Sequence, residues 1–63
     1  LQKAVEQCNK AIELNQYERD AYYHRAQANI ILGKGKEEYC QDAYISMQLG
    51  KEKAFDSLGV KCE

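Results

Sequence analysis

Sixty-three residues are enough for one small domain at most, since a chain of this length buries only about 60% of the surface that it exposes when unfolded. Nine Lys and Arg residues against ten Asp and Glu residues give a formal charge of −1, so we expect neither a nucleic acid nor a membrane surface as partner. A hydrophobic content of 44% predicts a folded chain, but no apolar run exceeds three residues, far fewer than the roughly 18 needed to span a bilayer.

The first half of the chain predicts two helices, and the absence of proline favours helix throughout. Apolar residues recur at helical spacing at Leu1, Ala4, Val5, Cys8, Ala11, Ile12 and Leu14. We expect Asn15 to close this first helix in the left-handed conformation. The second helix is predicted from about Glu18 or Asp20 to Leu32, where Gly33 ends it. Because the helical pattern starts at the first residue, we expect the chain to be a segment of a longer protein.

Two further helices are predicted in the second half. After a short polar turn, the third helix carries Tyr39, Cys40, Ala43, Ser46, Met47 and Leu49 on one side. It is predicted to stop at Gly50. A fourth helix, from about Glu52 to Lys61, would present Ala54, Phe55, Leu58 and Cys62. Four helices with such short connectors predict an all-α fold of stacked antiparallel helical hairpins.

The first and third helices repeat the same order of residue sizes at a period of 35 residues. The aligned pairs are Ala4 and Tyr39, Val5 and Cys40, Cys8 and Ala43, Ala11 and Ser46, Ile12 and Met47, and Leu14 and Leu49. Only the last pair is identical, but both residues of every pair are apolar or small. The chain therefore contains an internal helical repeat.

A helix–turn–helix unit of about 34 residues is the mark of the tetratricopeptide repeat (TPR), which this sequence resembles along its whole length. The carriers of the resemblance are Phe55-x2-Leu58-Gly59-x2-Cys62 in the fourth helix and Ala21-Tyr22-Tyr23-His24-Arg25-Ala26 in the second. Small residues that would mark helix crossings are Ala4, Ala11, Ala26, Ser46 and Gly59. Arg25 and Tyr39 depart from the family pattern, since these slots usually hold Leu and a small residue.

The resemblance implies a three-part organisation and a binding function. Residues 1–15 would be the second helix of a truncated repeat, 18–50 one complete repeat, and 51–63 a C-terminal capping helix of an α-solenoid. Such modules bind a peptide or partner helix in a concave groove, whose positions here would be Asp20, Tyr23, His24, Gln27 and Ile31. We expect Tyr23 and His24 to contact a protein partner. The alternative is that they form a solvated helix face.

A second hypothesis assigns the chain a purely structural role, as a solenoid cap or a self-association element. The apolar stripe of the first helix lacks a cover within the chain, so the segment should be marginally stable alone or form a homodimer through that stripe. We expect no enzymatic activity and no cofactor, because no third group would orient a nucleophilic pair of His24 with a cysteine, and no Gly-rich or oxyanion-type loop is present.

The three cysteines lack the C-x2-C spacing of metal sites, so we expect no metal. Cys8 is predicted to lie in the core as a small apolar side chain. Cys40 and Cys62 are predicted either to form a disulfide that staples the cap or to pack as two thiols. No localisation signal is visible; the cytoplasm is favoured without the disulfide, and an extracytoplasmic location with it.

Overall fold

The computed structural model describes residues 2–60 and Cys62, and within them the chain forms helices and turns without strands. The helices are α1 (Gln2–Leu14), α2 (Arg19–Ile31), α3 (Lys36–Gln48) and α4 (Ala54–Leu58). The predicted all-helical fold with four helices is confirmed.

Three of the helices end in the same hydrogen-bonded motif, which is built on a glycine. After α2, the amide of Lys34 donates to the carbonyl of Asn29, and the amide of Gly33 donates to that of Ile30. This is a Schellman motif, and it needs the positive φ of 76° that Gly33 adopts. The amides of Gly50 and Lys51 form the same motif at the end of α3. The predicted ends of the second and third helices are therefore confirmed to within one or two residues.

The fourth helix differs from its prediction because Gly59 has a different role. Gly59 was expected inside that helix as a small crossing residue, but it takes a φ of 70° and ends α4 after only five residues. The predicted helix from Glu52 to Lys61 is therefore too long, and Lys61 itself lies outside the described residues. Of the residues in α4, only Ala54 is buried.

The end of α1 also differs from its prediction. No described residue other than glycine has a positive φ, so Asn15 does not adopt the left-handed conformation. Its side-chain oxygen instead accepts a hydrogen bond of 3.1 Å from the amide of Tyr17. This is the local turn that Asn side chains favour, and it starts the short connector to α2.

Consecutive helices pack on one another, α1 on α2, α2 on α3 and α3 on α4. The buried hydrophobic residues are Ala21, Tyr22, Ala26, Ala28, Ala43 and Ala54. Such small side chains let helix backbones approach closely. Ser46, which is fully buried, donates a hydrogen bond of 2.9 Å to the carbonyl of Arg19 across the α2–α3 contact. Burial at Ala26 and Ser46 agrees with their predicted place at crossings.

The other residues expected at crossings do not behave in this way. Ala4 and Gly59 are exposed and Ala11 is half-buried, because α1 has a helix on only one side and α4 has already ended at Gly59. Among the described residues, no helix is both long enough and apolar enough to cross a membrane.

Candidate functional site

A groove of about 570 Å³ runs between α1 and α2, and we call it the α1–α2 groove. From α1 it is lined by Ala4, Gln7, Cys8 and Ala11, and from α2 by Asp20, Ala21, His24, Gln27, Ala28 and Ile31, with Glu18 just before α2. These positions recur at intervals of three and four residues, so each helix presents one face to the groove. Most of the residues that form the floor of the groove have small side chains.

The groove exists because α1 lacks a neighbour on one side. None of the residues in α1 is buried, although its apolar residues recur at helical spacing. Ala21 and Ala28 form a buried floor on the α2 side, whereas Ile31 at the far end is 60% exposed. Leu14, at the C-terminal end of α1, is 81% exposed although it belongs to the apolar pattern of this helix. The chain therefore presents an apolar surface with polar groups around it.

Four of the five residues predicted at a binding groove line this one, namely Asp20, His24, Gln27 and Ile31. Tyr23 does not. Its half-buried ring lies under the ammonium group of Lys51, with Nζ 4.5 Å from the ring centroid, and it meets His24 edge-on at 5.8 Å between centroids. Tyr23 thus contacts Lys51, which follows α3. Of the two residues expected to contact a partner, His24 lies in the groove and Tyr23 does not.

The charged groups that line the groove are carboxylates. Glu18 and Asp20 lie at the start of α2, and neither a lysine nor an arginine is among the lining residues. Lys51 approaches Asp20 with 3.5 Å between Nζ and Oδ1, but the two side chains are 35% and 57% exposed and such a pair contributes little. The carboxylates therefore remain available to a partner.

Arg25 is the centre of a polar cluster that sequence reasoning missed. Its Nε and Nη2 donate to the two carboxylate oxygens of Asp42, at 2.8 and 2.6 Å, and its Nη1 donates to Oδ1 of Asn9 at 2.7 Å. The guanidinium carbon also lies 5.6 Å from the ring centroid of Tyr22. The hydrogen bond with Asp42 raises the pKa of Arg25. One side chain thus joins α1, α2 and α3.

The sequence did contain a signal for this cluster, in the form of a departure from the pattern of the resembled family. Arg25 occupies a slot where the resembled family usually has Leu, and Asp42 is a buried carboxylate inside α3. A charged residue at an apolar slot requires a buried partner of opposite charge, which a search of the facing helix would have found. The cluster holds the wall of the groove in place, because Asn9 belongs to α1.

The three cysteines occupy two different environments. A disulfide joins Cys40 of α3 to Cys62, which follows α4, and both residues are half-buried. The sequence left open either a disulfide or two packed thiols at these positions, and the structure has the disulfide. Cys8 is free, half-buried and part of the groove wall, so its predicted place in the core is wrong. Burial raises the pKa of the Cys8 thiol, and the nearby Arg25 offsets part of that effect.

No group of three or more His, Cys, Asp or Glu side chains within residues 2–60 and Cys62 could hold a metal ion. The polar groups that the structure does bring together are the Arg25 cluster, which links three helices, and the rim of the α1–α2 groove. Of these two, the groove is the one that is open to a partner.

Comparisons with known proteins give limited information. No protein-family model matches the chain, and no solved structure matches it. An uncharacterized protein of Methanocaldococcus jannaschii is 51% identical to it over 37 residues, which are 59% of this chain and 43% of that protein. The chain thus spans less than half the length of this relative, whose description names no activity.

Proposed function

We propose that this chain is a TPR-like protein–protein interaction module, which binds a helical segment of a partner in the α1–α2 groove. Three features of the fold support the TPR-like arrangement. The start of α2 meets the end of α3 through Arg19 and Ser46, and the middles of the two helices meet through Arg25 and Asp42. These pairs run in opposite directions along the chain, as in an antiparallel hairpin. Consecutive packing of the four helices and small residues at their contacts complete the resemblance.

The observation that carries the proposal is the uncovered apolar groove itself. A 13-residue helix presents a wall about 20 Å long, and α1 and α2 both have this length. The small floor residues allow another helix to approach closely, as in recognition of an amphipathic helix by a hydrophobic groove. An extended exposed apolar surface rimmed by polar groups is typical of an interaction site.

Each groove residue has a role that follows from its chemistry. Ile31 and the alanines of the floor would pack against the apolar side of the partner helix. His24 and Gln27 offer hydrogen bonds, and Asp20 with Glu18 would attract basic side chains near one end. Tyr23 is assigned no direct contact; it fixes Lys51 beside Asp20. The proposal includes no catalytic step.

Site-specific photo-crosslinking tests the proposal in extracts with the full chain. A photoreactive amino acid at Gln27 lies in the groove, and the same amino acid at Tyr44 lies outside it as a matched control. We expect a specific adduct from position 27 and none from position 44. Ala4→Trp fills the groove from an exposed position and should abolish the adduct, whereas Gln48→Trp should not. Equal adducts from both positions, or an adduct that Ala4→Trp leaves intact, would refute the proposal.

The disulfide favours a second candidate, a structural cap. The bond between Cys40 and Cys62 ties the chain after α4 to α3, and α4 has only one buried residue to hold it by packing. In this alternative, the segment would serve to end a helical stack and the staple would keep its last helix in place. Loss of all groove adducts together with a large stability loss on reduction would favour this candidate.

A further inference from the structure

We infer that the helix that docks in the α1–α2 groove lies antiparallel to α1 and repeats the contact that α2 makes with α3, with Gln7 selecting the side chain that it faces. The inference rests on the proposed function, since it gives the chemistry and the direction of the partner of the same groove. The partner is a helix with the residue pattern of α2, a basic first turn, and a neutral hydrogen-bonding residue opposite Gln7.

The groove face of α1 corresponds to the face of α3 that α2 covers. At the period of 35 residues, the α1 residues in the groove, Ala4, Gln7, Cys8 and Ala11, align with Tyr39, Asp42, Ala43 and Ser46 of α3. Asp42 and Ser46 are buried, and they accept from the side chain of Arg25 and donate to the carbonyl of Arg19, respectively. The chain therefore shows, on α3, how a helix packs on a face of this kind.

The second covered face of each helix follows the same alignment. Val5 and Asn9 of α1 face α2, in a depression that residues of α2 also line. The aligned Cys40 and Tyr44 of α3 face α4, in a depression that Phe55 of α4 also lines. Thus α2 lies on α1 as α4 lies on α3, and the groove is the position of a further helix equivalent to α2.

The carboxylates at one end of the groove favour the same direction for this helix. Since α2 runs antiparallel to α3, its equivalent runs antiparallel to α1 and begins beside the end of α1. Glu18 and Asp20 lie at that end, because residues 15–18 alone connect α1 to α2. The free amides at the start of a helix carry partial positive charge, so these carboxylates stabilise a helix that begins beside them and oppose one that ends there. They also attract a basic side chain in its first turn.

Gln7 is the position at which the two equivalent contacts differ in charge. Its counterpart Asp42 accepts two hydrogen bonds from Arg25, at 2.8 and 2.6 Å. A neutral amide cannot compensate a buried guanidinium in this way, so an arginine opposite Gln7 is disfavoured. An amide or hydroxyl side chain at that place finds both a donor and an acceptor on Gln7, which is exposed in the open groove.

Isothermal titration of two peptides into the full chain tests the inference. Both have the α2 sequence, residues 18–33, with Glu18→Lys and Asp20→Lys to make the first turn basic. One keeps Arg25 and the other carries Arg25→Gln. Arg and Gln have nearly equal helix propensities, so the ratio of the two dissociation constants reports the contact with the groove rather than the helicity of the peptides.

We expect the original chain to bind the Arg25→Gln peptide more tightly than the Arg25 peptide. Gln7→Asp copies the acid of α3 into the groove and should shift the ratio about tenfold toward the Arg25 peptide. Gln48→Asp, an exposed change outside the groove, is the matched control and should leave the ratio unchanged. Circular dichroism checks that the helix content of each variant is unchanged.

A nitroxide on the Arg25→Gln peptide reports the direction of the docked helix. At the first residue of the peptide, it should broaden the amide NMR signals of Ala11 and Asp20. At the last residue, it should broaden those of Ala4 and Ile31. The reverse pattern would show a helix parallel to α1 and would overturn the inference.

The outcomes separate this inference from the proposed function. A ratio that Gln7→Asp leaves unchanged, or a preference of the original chain for the Arg25 peptide, overturns the inference alone. So does a failure of both peptides to bind while the photoreactive group at Gln27 still captures a partner. A dimer of the chain that fills the groove and excludes the peptides also overturns it, because the occupant is then a second copy. The absence of both peptide binding and any groove adduct removes both proposals.

Discussion

Helices α1 and α3 have the same length and a similar order of residue sizes, but they differ in burial. Ala43 and Ser46 of α3 are fully buried, whereas the aligned Cys8 and Ala11 of α1 are only half-buried. The reason is that α3 packs on both α2 and α4, while within the described residues α1 packs mainly on α2. A helical pattern therefore shows which face can be covered, and only the fold shows whether a neighbour covers it. The uncovered face of α1 is the origin of the groove.

The largest expected effect comes from Asp42, the buried partner of Arg25. Asp42→Ala leaves the guanidinium without its carboxylate, and we expect the free energy of unfolding to fall by about 3 kcal/mol. Thermal unfolding followed by circular dichroism measures this. Asn9→Ala removes only the link from Arg25 to α1 and should cost about 1 kcal/mol. Similar losses for Asp42→Ala and Asn9→Ala would show that the contact of Arg25 with α1 contributes as much stability as its contact with α3, contrary to this expectation.

The next effect is that of the disulfide. Reduction, or Cys40→Ser with Cys62→Ser, opens a loop whose ends are separated by 22 residues in sequence, and we expect a loss of about 3 kcal/mol at most. The loss should fall mainly on α4, because that helix packs chiefly on α3 and has one buried residue. Intact mass before and after reduction checks the bond itself, through a gain of two hydrogens. No mass change would show that the two cysteines are thiols in solution.

A pair of identical substitutions compares the two helices directly. Ala43→Leu forces a large side chain into a fully buried position and should destabilise the chain by about 1 to 3 kcal/mol. Ala4→Leu makes the same change at an exposed position of α1 and should alter stability by less than about 0.5 kcal/mol. Denaturant unfolding at low protein concentration keeps self-association out of the measurement. A large loss at Ala4 would mean that α1 is already covered in the single chain.

The smallest effect concerns Cys8 and pH. Because burial raises the pKa of this thiol in the folded chain, the folded state favours the protonated form. The resulting stability is present below the ordinary pKa of a thiol and is lost as pH rises through the raised value. We expect slower alkylation by iodoacetamide in the folded chain than in the unfolded chain, and a slight loss of stability at alkaline pH that Cys8→Ser abolishes. Equal alkylation rates would contradict this.

Local signals made much of the fold predictable from the sequence. Gly33 and Gly50 follow strongly patterned segments, so the ends of α2 and α3 could be placed closely. The same residue type misled at Gly59, because a glycine that ends a helix and one that allows a close crossing look alike in sequence. Asn15 was assigned the wrong conformation for a similar reason, since Asn favours several turn geometries.

Features that depend on distant contacts were less predictable. The pairing of Arg25 with Asp42 depends on how α2 and α3 align across 17 residues of sequence. For the candidate site, the family resemblance placed Asp20, His24, Gln27 and Ile31 at a groove, and all four line the one observed. Tyr23, which the resemblance also placed there, lies outside it and beneath Lys51. The exposure of Leu14, in contrast, agrees with the expectation that the apolar stripe of the first helix lacks a cover within the chain.

Amide hydrogen exchange tests the central claim, that the groove face of α1 is open in the single chain. In dilute solution, amides of α1 should exchange much faster than those of the buried positions around Ala26 and Ala43. Amides of α1 that are protected as well as those of α3 would contradict the account.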